Sequence, residues 1–376
     1  MKIALISSHS FASPGGVKNH VIGLHNEFSR RGIASKIIAP RRDGSENYGR
    51  NVILLGTSFA VPFGGAKGDL AINFDPFAIQ DVLKKEKFDV LHFHNFILPS
   101  ALEFLMTPAA AKTTNILTYH SSMEESRLYR ELPEIFYPVK KIIEWRIHGI
   151  IGVASFILDK YFADFKGPKV HIPNGVDTQI FNPAGKKITA IKKDPRTKIL
   201  FLGRLDKRKG LIYLLYAWRA LKPKYRDIAL YVAGDGPERK RCEDFAQKNN
   251  LSNVIFLGMV KEKDAPAYYR SGDIFCSPAV GGESFGVILI EAMASGLPVV
   301  AFANEGYRQV LNHGAGREFM VEPKNWRELA RKIGQLVGNP ELRGRLGQWG
   351  LNESQKYSWP VIADRVLQFY KKCVKK

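Results

Sequence analysis

Two glutamates, Glu283 and Glu291, stand eight positions apart in the segment GGESFGVILIEAMASGLPVVA. On a single helix that spacing would span about 12 Å. Glycines 281, 282 and 286 instead place Glu283 in a loop and leave Glu291 inside the apolar helix that follows. One carboxylate can then reach the hydroxyls of a sugar while the other reaches a ribose two turns away. An unpaired charge among apolar positions is costly to bury, so Glu291 reads as a ligand-binding group, with a structural ion pair as the plainer alternative. The matching cations are Arg204 and Lys209 in FLGRLDKRKG, in a loop that leaves one strand and enters a helix. Two such charges at the mouth of an open α/β sheet suit a diphosphate; a solvated basic loop would look the same. In SPGGVKNH, Gly15 and Gly16 allow close backbone approach, and amides at a helix start favour phosphate. A plain tight turn is the alternative there.

His120 closes NILTYH at a strand's C-terminal end, where ligand crevices form. His92 and His94 in LHFHNF have a similar position, although a lone histidine is more often structural. No histidine–carboxylate spacing forms a metal triad, and no D-x-D pair occurs, so no metal is expected. Neither SPGGVKNH nor GDGPER completes G-x-G-x-x-G, which argues against a nicotinamide cofactor.

These residues need strands and helices to carry them. Short apolar runs (KIALIS, SKIIAP, NVILLG, DVLHFH, NILTYH, GIIGVA, KVHIP) alternate with amphipathic stretches such as VKNHVIGLHNEFSRRG, which ends at Gly32, a capping position. The series restarts near residue 175 with KILFLGR, ALYVAG, VIFLG, IFCSP and PVVAF. Continuous apolar strands separated by helices imply α/β architecture with parallel sheets covered on both faces. A length of 376 residues makes two domains the natural expectation. The reading is residues 1–174 together with 359–376 as one domain, and 175–358 as the other.

Composition is that of a globular protein, with 45% hydrophobic residues. Three cysteines (242, 276 and 373) suggest neither a disulfide framework nor a zinc site, and fit a reducing cytoplasm. The longest apolar stretch contains Glu291 and is broken by Gly296 and Pro298, so no membrane span is expected. The formal net charge of +20 is the abnormal value. It fits nucleic acid, an anionic membrane surface or a phosphate-rich substrate. The chain carries no nucleic-acid motif, and the glutamate pair has no use in a non-catalytic nucleic-acid-binding protein.

Taken in order, SPGGVKNHV, PNGVDTQIFNP, FLGRLDKRKG, YVAGDGPER, GGESFGVILIEAMASGLPVVA and YSWPVIADRVLQFY resemble glycosyltransferase family four, nearly end to end. SFASPGGVKNHV, TYHSS and GGESFG point to the branch that mannosylates phosphatidylinositol. The resemblance implies the GT-B fold: two Rossmann-like domains facing across a cleft, with the last helix crossing back to the N-terminal domain. It implies a retaining hexosyltransferase, with GDP-mannose as favoured donor and a lipid-linked or polyol acceptor. Arg204 and Lys209 would neutralise the donor diphosphate in place of a metal, so no cofactor is required. Gly15 and Gly16 would approach that diphosphate. Glu283, Ser284, Phe285 and Gly286 would surround the transferred sugar, and Glu291 would bind the ribose. His120 would sit beside the anomeric centre, and Asn174 at the interdomain hinge. The chain departs from the branch at His9 and Ala12 in the first loop, and at Asn95 and Phe96 after LHFH. Both loops belong to the acceptor side, where His9 and Asn95 are the candidate contacts.

The same resemblance, with the charge, implies cytoplasmic residence at the inner face of the cell membrane. DPFAIQDVLKKEKFD starts a helix at Asp75 and Pro76. Phe77, Val82 and Leu83 form an apolar stripe beside Lys84, Lys85 and Lys87, and the preceding GTSFAVPFGGAKGDLAINF reads as an apolar loop. A sheet-covering helix with a solvated end is the alternative. Other readings are a soluble enzyme of the same family making a disaccharide or polysaccharide, and a sugar-nucleotide epimerase of like architecture.

Overall fold

The structure, a computed structural model, describes residues 1–12, 15–63, 66–75, 77–96, 99–121 and 137–374. Ser13, Pro14, Gly64, Gly65, Pro76 and Ser122 of the segments above lie outside them. The chain divides into two units, Met1–Gly175 with Trp359–Lys376, and Val176–Ser358.

The first unit is built on strands β1 (Lys2–Ser7), β2 (Ala34–Arg41), β3 (Val52–Phe63), β4 (Ala66–Ile72), β5 (Val90–His94), β6 (Thr114–Tyr119), β7 (Gly149–Gly152) and β8 (Lys169–His171). They lie in the order β4-β3-β2-β1-β5-β6-β7-β8. All pairs are parallel except β3 with β4, and β1 aligns Ile3 with both Ser35 and Val90. The central strands are apolar at successive positions because helices cover both faces. Strand order reverses between β1 and β5, so the loops leaving β1, β5 and β6 open on one crevice at the sheet's C-terminal edge. Those loops carry His9, Asn95 and His120.

Helix α1 (Gly16–Arg30) follows β1 and ends where Gly32 takes φ 70°, letting Ile33 N–H bond Phe28 O at 2.9 Å. The segment read as an apolar loop is instead the β3–β4 hairpin, with Thr57 opposite Ile72 and Phe63 opposite Ala66. Its glycines hid the alternation that marks a strand. Helix α2 (Ala78–Glu86) follows, with Asp75 Oδ1 accepting the N–H of Phe77 at 2.9 Å. The expected stripe is divided: Leu83 joins Ile79 in the core, whereas Phe77 is 72% exposed.

The second unit holds β9 (Thr197–Leu202), β10 (Ile228–Ala233), β11 (Val254–Gly258), β12 (Ile274–Ser277), β13 (Val299–Phe302) and β14 (Met320–Val321), all parallel, in the order β11-β10-β9-β12-β13-β14. Here the order reverses between β9 and β12, which brings the Arg204–Lys209 loop beside the loop that leads to Glu283. Helices α3 (Ala265–Ser271), α4 (Val287–Ala294) and α5 (Glu305–Leu311) flank these loops. Helix α6 (Trp359–Cys373) returns to the first unit, packing Trp359, Ile362, Val366 and Phe369 into the core that holds Leu24, Phe28 and Ile151. Gly23 makes room for it, since a Cβ there would lie 2.1 Å from the Trp359 ring. All three cysteines are buried and unbridged.

Candidate active site

In the second unit the predicted ligand residues meet. Lys209 Nζ donates to Glu283 Oε1 at 2.6 Å, and both side chains are largely buried. Asp206, also buried, builds the cationic loop: its Oδ1 accepts the backbone N–H groups of Arg208 (3.0 Å) and Lys209 (3.1 Å). Its Oδ2 lies 3.8 Å from Arg204 Nε. The loop then turns at Gly210, φ 67°, where a Cβ would stand 2.1 Å from Pro278 O. Val280 N–H bonds Arg208 O at 2.8 Å, which ties the two loops together.

Helix α5 fixes the glutamate loop from behind. Asn304 caps it, accepting Tyr307 N–H at 2.9 Å and donating to Ala279 O at 2.9 Å. Gly306 lets the helix start approach Glu283, because a Cβ there would meet Glu283 O at 2.2 Å. Tyr307 is fully buried beside Gly286 and shares a 2.7 Å hydrogen bond with Ser277. Phe285 is a core residue, packed on Tyr357 at 5.6 Å, so only its backbone can face a ligand. Ser284 and Gly286 remain at the loop surface or the helix start.

Glu291 sits on α4 and accepts a hydrogen bond from Tyr269 on α3 at 2.9 Å. Burial pushes its carboxyl up to about 7, partly offset by the Tyr269 hydroxyl. Among the described residues no ion pair involves Glu291, and its hydrogen-bond partner is the neutral Tyr269 hydroxyl. Tyr269 was not picked out from the sequence; its only signal was a tyrosine on a helix preceding β12.

In the first unit, Gly16 opens α1 with no side-chain cap, and a Cβ at Gly15 or Gly16 would meet nothing within 4 Å. Packing demands neither glycine, so the bare helix start leaves room for a bulky anion. Asn95 takes φ 67° and ties three loops together. Its Oδ1 accepts His120 N–H (2.7 Å), and its Nδ2 reaches Ser121 Oγ (3.0 Å) and His9 Nε2 (3.3 Å). His120 Nε2 lies 3.1 Å from His94 Nδ1, and Asn174 Oδ1 lies 2.9 Å from His20 Nδ1. His92 is held by Thr118 and by Tyr370 of α6, each at 2.6 Å. Burial lowers His20 to about 4 and keeps His92, His94 and His120 well below the ordinary histidine value. His120 is therefore a neutral, positioned imidazole. The sequence reading left out His20 and gave Asn174 a hinge role alone; here Asn174 orients His20.

Known proteins complete the picture. A family model for group 1 glycosyl transferases matches residues 185–352, and one for glycosyltransferase family 4 matches residues 14–180. A phosphatidyl-myo-inositol mannosyltransferase of Mycobacterium leprae is 31% identical over 375 residues, covering 98% of this chain and 96% of the relative. The chain belongs to glycosyltransferase family four. The enzyme of the same description from Mycolicibacterium smegmatis is 30% identical over 380 residues, 98% of this chain and 93% of its own. Among solved structures, the sucrose-phosphate synthase of Thermosynechococcus elongatus superposes with a TM-score of 0.78 at 22% identity, over 99% of this chain and 98% of that one. The Anabaena protein HepE, solved with UDP, gives 0.76 at 17% identity over 99% and 100%. These establish the GT-B fold of this family member, with two parallel-sheet α/β units. Among the described residues, no helix is long and apolar enough to cross a membrane.

Proposed function

We propose that this glycosyltransferase is a retaining hexosyltransferase that moves mannose from GDP-mannose to a lipid-linked or polyol acceptor of the phosphatidylinositol type. The observation that carries the reading is the Lys209–Glu283 pair at 2.6 Å, with Arg204 and Glu291 on the same sheet edge. Its cations match a diphosphate and its carboxylates match sugar and ribose hydroxyls. Near full-length identity to mannosyltransferases supports the donor and the acceptor class.

In this reading Arg204 and Lys209 take up the charge that grows on the leaving diphosphate, so no metal or other cofactor is needed. The backbone at Gly15 and Gly16 approaches the same phosphates. Glu283, with the Ser284–Gly286 backbone, holds the mannose, and Glu291 holds the ribose. The bond from the anomeric carbon to the phosphate oxygen breaks as the bond to the acceptor oxygen forms on the same face. The acceptor's proton passes to the departing phosphate oxygen. His120, neutral and pinned by Asn95 and His94, orients the reactants beside the anomeric centre, while His9 and Asn95 border the acceptor.

The enzyme works at the cytoplasmic face of an anionic membrane. Phe59, Phe74 and Phe77 are exposed by 43%, 71% and 72%, and Phe59 and Phe74 stack edge-on at 6.3 Å. Phe74 and Phe77 precede α2, whose last turn carries Lys84 and Lys85, a composition suited to lipid headgroups. A soluble polyol acceptor is the second reading, favoured by His9 and Asn95 in the acceptor-side loops.

The test is donor-dependent stabilisation followed by transfer. GDP and GDP-mannose should raise the melting temperature without magnesium, more than UDP or ADP. Labelled mannose should then appear in phosphatidylinositol vesicles. Stabilisation by UDP alone rejects the donor; transfer only to soluble polyols rejects the lipid acceptor.

A further inference from the structure

Three imidazoles from three elements converge inside the first unit. His20 comes from α1, His94 from the end of β5 and His120 from just beyond β6. All are buried, and one ring nitrogen of each lies within 4.8 Å of the others. His94 Nδ1 and His120 Nε2 are 3.1 Å apart. That contact is a hydrogen bond between the two rings, with one proton lying in it.

The cluster is poor in protons and rich in lone pairs. Asn174 Oδ1 can only accept, so His20 donates to it from Nδ1 at 2.9 Å. The neutral ring then presents a bare lone pair at Nε2. His94 Nε2 is buried with no hydrogen-bond partner. A buried N–H without an acceptor is costly, so the proton of His94 belongs on Nδ1, facing His120, and Nε2 is bare as well. A carboxamide that orients the His20 ring is an outer-shell partner of the kind metal-binding histidines use. Three imidazoles without thiolate or carboxylate suit zinc, cobalt or nickel, and exclude magnesium and calcium.

We propose that His20, His94 and His120 form a binding site for one divalent transition ion of the zinc class, with the fourth coordination position open. Closure requires the His20 ring to tilt inward and His94 either to turn its bare Nε2 to the ion or to give up its Nδ1 proton, bringing spacings of up to 4.8 Å toward roughly 3.3 Å for metal–nitrogen bonds of about 2.0–2.1 Å. An ion held there claims a ring nitrogen of His120 and ends its pairing with His94. His120 is shared with the transfer role proposed above, so an ion there would compete with that role, and the titration needs no sugar nucleotide.

The test is a Co2+ titration of untagged, metal-free, full-length protein without nucleotide or acceptor, followed by visible d–d absorption. One equivalent should give the intense band of a four-coordinate ion, and Zn2+ should displace it. His20→Gln and His94→Gln should each weaken binding by at least about tenfold, and Asn174→Ala, which removes no ligand, by roughly 10–100-fold. His313→Gln, in the other unit, should bind as wild type does. Cooperative melting checks that each variant folds. The proposal is overturned if wild type shows no four-coordinate band, or if the band survives undiminished in folded His20→Gln and His94→Gln.

Discussion

Replacing Glu283 by glutamine should tighten the binding of GDP while it abolishes most of the turnover. Without ligand, the Lys209 ammonium and the Glu283 carboxylate neutralise each other at 2.6 Å. A diphosphate that takes Lys209 must first part that pair. Two unit charges about 4 Å apart at an effective dielectric of 20 interact by ~4 kcal/mol. Desolvation and ordering of both chains reduce this to the net worth of a charged hydrogen bond, about 1.5–3 kcal/mol. The lower end applies, because the side chains keep 19% and 16% exposure. Glutamine occupies the same volume without the charge, so GDP should bind with about 1.5 kcal/mol more free energy, roughly tenfold in Kd. Turnover should fall by about 10²–10³-fold, because the carboxylate no longer holds the sugar in the transition state. Lys209→Ala should move affinity the other way, by roughly 10²-fold, since it leaves a carboxylate facing the phosphates. Calorimetric titration with GDP and steady-state transfer rates read the two effects separately. If Glu283→Gln binds GDP no tighter than wild type, Lys209 is not released on binding and the reasoning fails. Wild-type rates in both variants would remove the site assignment itself.

Three further outcomes follow from the same geometry. Glu291 ionises near 7, and only its charged form accepts from two ribose hydroxyls. Donor affinity should therefore drop about tenfold between pH 8 and pH 6, and the slope should vanish in Glu291→Gln. The sign for folding is opposite: a carboxyl raised from 4.5 favours the fold below that value and loses the benefit as pH rises through about 7. Gly306→Ala pushes a Cβ toward Glu283 O and should cost about 1–3 kcal/mol, seen as a melting temperature lowered by roughly 2–4 °C per kcal/mol, together with slower transfer. Phe74→Ser with Phe77→Ser should weaken sedimentation with anionic vesicles by at least about tenfold, with cooperative melting unaltered.

The sequence discloses the fold well because the central strands are buried on both sides. Runs such as KIALIS and ALYVAG have few other uses, and their restart near 175 marks the second sheet. The cationic loop and the glutamate block are also legible, since glycines 210, 281, 282 and 286 punctuate them. Other parts follow from the sheet order instead. Lys209 and Glu283 are 74 positions apart, and only the reversal between β9 and β12 makes them neighbours. The histidine cluster draws on positions 20, 94 and 120, a separation that resembles no ligand spacing. Phe285 divides its roles in a way the sequence does not disclose: its side chain serves the core, and only its backbone is left to the ligand motif. The β3–β4 hairpin was obscured because its glycines and Pro62 read as a loop, and backbone pairing rather than pattern defines it.

The position of α6 gives the halves of the chain unequal schedules at the ribosome. Val176 bridges Ser358, and its N–H bonds Tyr357 O at 2.8 Å, so the second unit is stitched shut where the chain enters and leaves it. Everything it needs lies between those two points. The first unit, although made first, lacks Trp359, Ile362, Val366, Phe369 and the Tyr370 hydroxyl that holds His92 until α6 emerges. Domains usually fold in order of synthesis; here the earlier one completes last. A premature stop shortly before Trp359 would spare the second unit and strip the core from the first. The opening half must therefore wait, with its apolar face uncovered, for the final helix.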